Sequence, residues 1–148
     1  MKVRTILVPT DFSEDAGEAL STAEKLAKIF DAKVAVLHAY HVDVAIASPI
    51  AGGYSIPPGF YEELRSSAAL QVEKIAEQLG AEGVDAIGVV SQEPAAHAIV
   101  AEAKRLPADL IVIGTRGRTG IKHVVLGSVA ERVVRTAPCP VLTVKAAS

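Results

Sequence analysis

The feature that most constrains the fold is a regular alternation of two kinds of segment along the chain. Short apolar runs rich in β-branched residues, typical of strands, are separated by longer segments in which apolar residues recur at helical spacing. The strand-like runs occupy residues 4–9, 33–39, 84–90, 109–114 and 140–145. Strands joined by helical crossovers run parallel, and the crossovers place helices on both faces of the sheet. The pattern therefore predicts an α/β fold with a single doubly wound sheet of five parallel strands.

Length and composition fit one folded domain. The chain has 148 residues, of which 50% are hydrophobic and only 4% aromatic. The core must therefore consist mainly of Val, Ile, Leu and Ala, which suits a sheet buried on both faces. We expect a single domain over residues 1–148. Residues 40–59 contain three prolines and three glycines and lack any sustained period, which predicts an irregular excursion over the surface.

The first helical segment follows a polar turn. Ser13 is the expected N-cap, and Glu14 and Asp15 fall in the first turn, where the helix dipole favours acids. The apolar residues of one face, predicted to be buried, are Ala16, Leu20, Ala23, Ala27 and Phe30. His38, near the end of the second strand, is expected to be a packed, hydrogen-bonded histidine rather than a catalyst.

Charge and cysteine content argue against several classes of protein. The net charge of −2 gives no general attraction for nucleic acid or for an anionic membrane. No run approaches the roughly 18 apolar residues of a membrane span, and the apolar stretch near the N-terminus is too short for a signal sequence. Cys139 is the only cysteine, and no His/Cys cluster has metal-ligand spacing. We expect a cytoplasmic protein with no nucleic-acid or membrane partner and no direct protein ligands to a metal.

The most informative turn follows the fourth strand. Gly114, Gly117 and Gly127 stand at spacings of three and ten, and Ser128 follows where a helix should begin. Glycine lets a phosphate approach backbone N–H groups, and the unpaired amides and dipole at a helix N-terminus attract anions. The segment lacks acids and carries three cations, namely Arg116, Arg118 and Lys122. We predict a phosphate site here; the alternative is that the glycines only shape a tight turn and the arginines are solvated.

Other nucleotide-binding and hydrolase motifs are absent from the sequence. It has no G-x-x-x-x-G-K-[ST] phosphate loop, no G-x-S-x-G nucleophile elbow and no G-x-G-x-x-G spacing after the fourth strand. In open parallel sheets, ligands bind beyond the carboxyl ends of the strands, where the strand order reverses. The turns after the first and fourth strands are the best candidates by residue content. No matched nucleophile and general base is evident, so no catalytic residue is assigned.

Longer blocks of the sequence resemble the universal stress protein family. The blocks that carry the resemblance over essentially the whole chain are "ILVPTDFSEDAGEAL", "ADLIVIGTRGRTG" and "LGSVAERVVRTAPCPVLTVK". Gly114 and Gly117, followed by nine residues and then Gly127 and Ser128, match the G-x-x-G-x9-G-[ST] motif of the branch of that family that binds ATP. The resemblance implies the strand order 3-2-1-4-5, which makes strands one and four neighbours.

The resemblance also implies roles for individual positions. The nucleoside end would be lined by Pro9, Thr10, Asp11, Ala39, Ile113 and Gly114. The phosphates would be held by Gly117, Gly127, Ser128 and Val129, and the cations of the acid-poor turn, Arg116 and Arg118, would add charge to that site. Asp11 would accept a hydrogen bond from the ribose or lie near a nucleotide-bound Mg²⁺; the alternative is a turn residue that helps to start the first helix.

By resemblance, the ligand is ATP, or AMP or ADP, with or without Mg²⁺. The function implied is that of a nucleotide-binding regulatory protein of the stress response, acting on a protein partner that the sequence does not identify. Two alternatives stay open. One is a slow ATP hydrolase or autophosphorylating protein that uses Asp11 or a nearby serine, and the other is a nucleotide-free dimeric interaction module.

The last strand is expected at an edge of the sheet. Exposed strand edges invite pairing with another chain, and relatives that resemble this chain dimerise through this strand. We predict a homodimer paired through Val141, Leu142, Thr143 and Val144. The alternative is an edge covered only by solvent.

Overall fold

The computed structural model describes residues 2–41, 56–116 and 126–146. Its strands are β1 (Thr5–Pro9), β2 (Lys33–Ala39), β3 (Ala86–Ser91), β4 (Leu110–Gly114) and β5 (Val141–Val144). Its helices are α1 (Glu14–Phe30), α2 (Phe60–Ala81), α3 (Ala95–Arg105) and α4 (Ser128–Thr136). The strands form one five-stranded sheet in the order β3-β2-β1-β4-β5, with every pair parallel. The predicted fold class and strand order are confirmed.

Alternate residues of the central strands enter two separate apolar cores. Ile6 and Val8 of β1 and Val112 of β4 pack with residues of α1 and α2. Leu7 of β1 and Ile111 of β4 pack with residues of α3 and α4. Successive side chains of a strand point to opposite faces, so the same strands supply both cores. Burial on both faces explains why these strands read as unbroken apolar runs.

Helix α1 begins as predicted but its buried face is shorter than predicted. Ser13 caps the helix, with its side chain accepting a hydrogen bond from Ala16 N. The buried stripe of small residues ends at Ala27, and Phe30 is 46% exposed. The expectation that Phe30 is buried was wrong. The helix stops at this point because Asp31 adopts a left-handed conformation and turns the chain towards β2.

The predicted excursion over residues 40–59 falls largely outside the described residues, because positions 42–55 are not among them. Its end is described: Gly59 has φ +84 and immediately precedes α2. That left-handed angle is readily adopted by glycine.

The order of the strands reverses beside β1. This strand pairs with β2 on one side and with β4 on the other, while β3 follows β2 towards the far edge. The carboxyl ends of β1 and β4 therefore lie side by side, and their turns leave the sheet in the same region. A reversal of this kind forms the crevice in which open α/β sheets bind ligands.

Candidate functional site

The turn after β1 is folded by hydrogen bonds to its own side chains. Thr10 is buried, and its Oγ1 accepts a hydrogen bond from Phe12 N at 3.1 Å. Asp11 Oδ1 accepts from Ser13 N at 3.0 Å. Ser13 then caps α1 through its contact with Ala16 N at 3.2 Å. Asp11 therefore has the turn role that its sequence context allowed as an alternative.

Phe12 and His38 brace this turn against β2. Phe12 has φ +64, in the left-handed region that bulky side chains seldom adopt. Its ring centroid lies 4.6 Å from that of His38, whose Nδ1 is 2.8 Å from the carbonyl oxygen of Thr10. Because a carbonyl oxygen only accepts, Nδ1 carries the proton and donates. His38 is thus a packed, hydrogen-bonded histidine, as predicted.

Gly114 lets α1 approach the end of β4 closely. A Cβ atom placed on Gly114 would lie 2.8 Å from the carbonyl carbon of Asp15, 2.9 Å from its Cβ and 3.0 Å from Ala16 N. Side chains at these distances would clash with backbone atoms, which cannot rotate away. The first glycine of the motif therefore has a packing role that its sequence pattern did not reveal.

This close approach places the carboxylate of Asp15 beneath the turn after β4. Asp15 Oδ2 accepts hydrogen bonds from Thr115 Oγ1 and Arg116 N at 3.0 Å each and from Arg116 Nε at 3.1 Å. Asp15 Oδ1 accepts from Arg116 Nη2 at 3.2 Å and from Ala146 N at 3.1 Å. The side chains of Asp15 and Arg116 are 4% and 19% exposed. A buried carboxylate is thus held by three residues distant in sequence.

The pKa of Asp15 follows from these partners. The Arg116 hydrogen bond is the largest influence and lowers the pKa, while burial raises it; hydrogen bonds from Thr115 and Ala146 and the Arg116 charge lower it further. The net result is a pKa below the ordinary value of 3.8. The same hydrogen bond and charge raise the pKa of Arg116. The pair is therefore fully ionised at neutral pH.

The start of α4 presents backbone N–H groups to the same region. Gly127 is the N-cap, with φ −67 and ψ 162, and no side chain in the described ranges caps the first turn. Gly127 N donates to the Thr115 carbonyl oxygen, and Thr115 N donates to that of Val144 at 2.9 Å. Uncapped amides and the positive end of the helix dipole make this terminus suited to an anion.

These elements surround a cavity of about 170 Å³ at the carboxyl ends of β1 and β4. The predicted binding positions that line it are Pro9, Thr10, Asp11, Ala39, Ile113, Gly114, Arg116, Gly127, Ser128 and Val129. Gly117 and Arg118, also predicted, lie outside the described residues, as does Lys122. The two turns selected from the sequence therefore meet at one cavity.

The cavity has further walls that the sequence did not indicate. They are formed by Ala16, Leu37, Ala95, Ile99, Thr115 and Ala130. The sequence could have identified Leu37 as a lining residue, because it lies two residues before Ala39 and so shares its face of β2. It could not have identified Ala95 and Ile99, since their position depends on how α3 lies across the sheet. Thr115 stands in a variable position of the glycine motif and carries no signal of its own.

The rest of the described structure adds three observations. Within the described residues, β5 pairs only with β4, and its Leu142 is 39% exposed. The same residues contain no group of three or more His, Cys, Asp or Glu side chains arranged to hold a metal ion. None of the helices described is both long enough and apolar enough to traverse a bilayer.

Two solved structures of related fold carry a nucleotide. One is a universal stress protein in complex with cAMP, which is 24% identical, has a TM-score of 0.72 and covers 99% of this chain and 100% of its own. The other is the universal stress protein from Archaeoglobus fulgidus in complex with dAMP, which is 24% identical, has a TM-score of 0.65 and covers 98% of this chain and 100% of its own.

Comparison with whole sequences and structures gives consistent matches. Universal stress protein MJ0531 of Methanocaldococcus jannaschii is 38% identical over 142 residues, or 96% of this chain and 82% of the relative. The solved structure of protein MJ0577 from the same organism is 30% identical, with a TM-score of 0.80 and coverage of 100% of this chain and 99% of that one. The model of the universal stress protein family matches residues 2–145. The chain belongs to the universal stress protein family.

Proposed function

We propose that this chain is a regulatory protein of the stress response that binds an adenine nucleotide, ATP or else AMP or ADP, in the cavity between the turns after β1 and β4. The observation that carries the proposal is the meeting of Asp11, Gly114 and the start of α4, which no side chain of the described residues caps, around that cavity. The residue types of both turns suit a nucleotide, and the turns lie at the reversal of strand order. That is the usual position of ligands in such sheets.

The apolar part of the cavity suits a nucleobase. Leu37 and Ala39 of β2, Ile99 of α3 and Ile113 of β4 contribute hydrocarbon surface. The flat ring faces of a base pack well between such side chains, and a few polar groups fix its orientation. The Asp11 carboxylate, at the same cavity, is an acceptor for ribose hydroxyls. It is also suited to a second-sphere contact with a nucleotide-bound Mg²⁺.

The start of α4 suits the phosphates. Gly127 and Ser128 line the cavity, and the amides of the first turn of α4 have no side-chain cap among the described residues. Backbone N–H groups at a helix N-terminus bind phosphate without any requirement for a cationic side chain. This matters because the guanidinium of Arg116 is already paired with Asp15. Gly117 and Arg118 are proposed to complete the phosphate site.

The family relationship supports the ligand class, since structures of related fold were solved with cAMP and with dAMP. Both ligands contain adenine and one phosphate.

Mass spectrometry of small molecules released by denaturing the purified protein would identify a co-purified nucleotide. Titration with adenosine, AMP, ADP and ATP, with and without Mg²⁺, would rank them, and steady-state phosphate release compared with Asp11→Ala would distinguish a ligand from a substrate.

Gly127→Val is expected to weaken ATP binding by at least about tenfold while the protein stays folded. The backbone angles of Gly127, φ −67 and ψ 162, suit any L-residue, so the substitution does not strain the backbone. It would instead keep the phosphates from the α4 amides, and the loss of one charge-assisted hydrogen bond already corresponds to about tenfold in affinity. Isothermal titration calorimetry measures the change.

Gly17→Val is the matched control. Gly17 lies on α1 with no atom within 4 Å of an added Cβ, and it is not among the residues that line the cavity. The control should retain the ATP affinity of the wild type. If Gly127→Val also binds ATP as tightly as the wild type, the phosphates do not lie against α4.

We also propose that the chain forms a homodimer by pairing its β5 edge with that of a second copy. The carbonyl oxygens of Pro140 and Val144 accept hydrogen bonds from Ile111 and Thr115 on the β4 side. Backbone groups alternate in direction along a strand, so those of Val141 and Thr143 point away from β4. Edge groups of this kind are available for pairing with another strand.

Thr143→Pro is therefore expected to convert the dimer to a monomer. Proline removes the outward N–H of residue 143 but none of the hydrogen bonds to β4, so the fold should be kept. Analytical ultracentrifugation at several protein concentrations measures the change. Thr143→Val keeps the N–H and should stay dimeric. A dimer that survives Thr143→Pro must use another surface.

A further inference from the structure

Asp15 joins three parts of the molecule that are far apart in sequence. Its carboxylate belongs to the first turn of α1, and its hydrogen-bond donors are Thr115 and Arg116, which follow β4, and Ala146, which follows β5. The side chain of Asp15 is 4% exposed. A buried carboxylate with five such contacts fixes the relative positions of its donors, because each lost contact would leave a buried charge less well solvated.

Thr115 connects Asp15 to the start of α4, on the side of the cavity proposed to hold the phosphates. Its hydroxyl donates to Asp15, its N–H donates to the Val144 carbonyl oxygen, and its own carbonyl oxygen accepts from Gly127 N. Thr115 and Gly127 are therefore the two sides of a stem from which the glycine-rich segment leaves and returns. Moving Asp15 would displace this stem and the start of α4 with it.

Arg116 completes the arrangement as the counter-ion of Asp15. Its guanidinium contacts both carboxylate oxygens, at 3.1 and 3.2 Å, and its backbone N–H contacts one of them. A bidentate pair of this kind is strongly directional. The side chain is 19% exposed, so the guanidinium charge of Arg116 is paired with a buried acid even though the residue lines the cavity.

We propose that Asp15 is the positioning residue for the stem of the nucleotide site, that Arg116 acts through Asp15 and not as a phosphate ligand, and that Ala146 links the stem to the end of β5. The proposal deepens the nucleotide-binding function and rests on it. Because coupling between two sites is reciprocal, a nucleotide that stabilises the stem also protects the contact of Ala146 with Asp15.

The first experiment compares Asp15→Asn with the wild type by ATP titration and by hydrogen exchange followed by NMR. Asparagine keeps the shape but removes the charge and replaces one acceptor oxygen with an NH₂ group. We expect ATP affinity to fall about tenfold and the Arg116 and Ala146 amides to exchange about tenfold faster. In the wild type, ATP should slow exchange of the Ala146 amide, and in Asp15→Asn it should not.

Glu14→Gln is the matched control. It removes the same charge from the same helical turn, but Glu14 is exposed and acts on Arg116 only through its charge, since no hydrogen bond in the described part of the chain joins it to the stem. It should leave ATP affinity and amide exchange within about twofold of the wild type, as expected of a surface site. If Asp15→Asn behaves like Glu14→Gln, the proposal is wrong.

A double-mutant cycle separates the positioning role of Arg116 from direct phosphate binding. If Arg116 acts through Asp15, then Arg116→Gln, Asp15→Asn and the double variant should lose similar amounts of ATP affinity. Each of the three removes the same contact, the one between the two side chains. If Arg116 were a phosphate ligand restrained by Asp15, Asp15→Asn would release it and tighten ATP binding. Tighter binding, or losses that add, overturns the proposal.

A second variant covers the case in which Asp15→Asn does not fold. Thr115→Val keeps the shape of the side chain and removes a single donor to Asp15. Because Ala146 N donates to the same carboxylate, its amide should then exchange faster with solvent. Unchanged exchange there would contradict the link. The exchange measurements need no nucleotide, so they remain decisive for the positioning of the stem even if the wild type binds none, an outcome that would refute only the nucleotide site.

Discussion

Gly114→Ala lowers the free energy of unfolding by about 2–3 kcal/mol in our expectation, near the upper end of the range for overpacked sites. The added Cβ would meet the carbonyl carbon of Asp15 at 2.8 Å and Ala16 N at 3.0 Å. Both are backbone atoms of α1, so relief requires the whole first turn of the helix to move away from β4. Urea denaturation followed by circular dichroism measures the change.

Gly17→Ala provides the control for Gly114→Ala, since it adds the same methyl group to α1 with nothing within 4 Å of it. Replacing an exposed helical glycine with alanine should raise the free energy of unfolding by about 0.5–1 kcal/mol. The two substitutions therefore have opposite expected signs. If Gly114→Ala is as stable as the wild type, α1 does not pack against β4 as closely as described.

Asp15→Asn is expected to cost about 3 kcal/mol of stability at neutral pH, because it leaves the Arg116 charge partly buried without its partner. Losing one member of a buried ion pair costs about 3–5 kcal/mol, and the 19% exposure of the Arg116 side chain places this case at the lower end. Denaturant titration at pH 7 measures it. Glu14→Gln, on the exposed side of the same turn, should change stability by less than about 0.5 kcal/mol.

The pH dependence of the stability lost in Asp15→Asn follows from the direction in which the pKa of Asp15 is shifted. The pKa of Asp15 is below 3.8 in the folded protein, so the unfolded chain takes up the proton first as the pH falls. The contribution of Asp15 is complete above the unfolded value and is lost as the pH falls through the folded value. The difference in unfolding free energy between wild type and Asp15→Asn should therefore shrink below pH 3.8. A difference that stays constant down to pH 2 would show that the Asp15 charge is not responsible.

The sequence predicted the layers of the fold because they depend on local patterns. Unbroken apolar runs such as 109–114 identify strands buried on both faces, and their alternation with helices dictates a parallel sheet. The order of the strands came from family resemblance, since periodicity does not specify which strands pair. Phe30 shows the limit of the helical pattern: it keeps the spacing of a buried face, yet it is exposed at the last residue of α1, where the left-handed Asp31 ends the helix.

The candidate site could be predicted from sequence only where the residue types of a single turn suit a ligand. Asp11 and Gly127 stood out because their residue types suit a nucleotide at the end of a strand or the start of a helix. The contacts of Asp15 with Thr115 and Ala146 span 100 and 131 residues, and no local pattern encodes them. The dipole of α1 already accounts for an acid at position 15, so the residues around Asp15 in the sequence gave no reason to expect a distant partner.

Gly114, just before the stem, and Gly127, which forms one side of it, have different consequences for evolution. Gly114 is confined by backbone atoms, so most descendants that replace it would be lost through misfolding. Gly127 has angles open to any residue, so a lineage that no longer needed a ligand could exchange it by drift and keep its architecture. A glycine kept at position 127 would then indicate selection for ligand binding, whereas a glycine kept at position 114 would indicate selection for the fold.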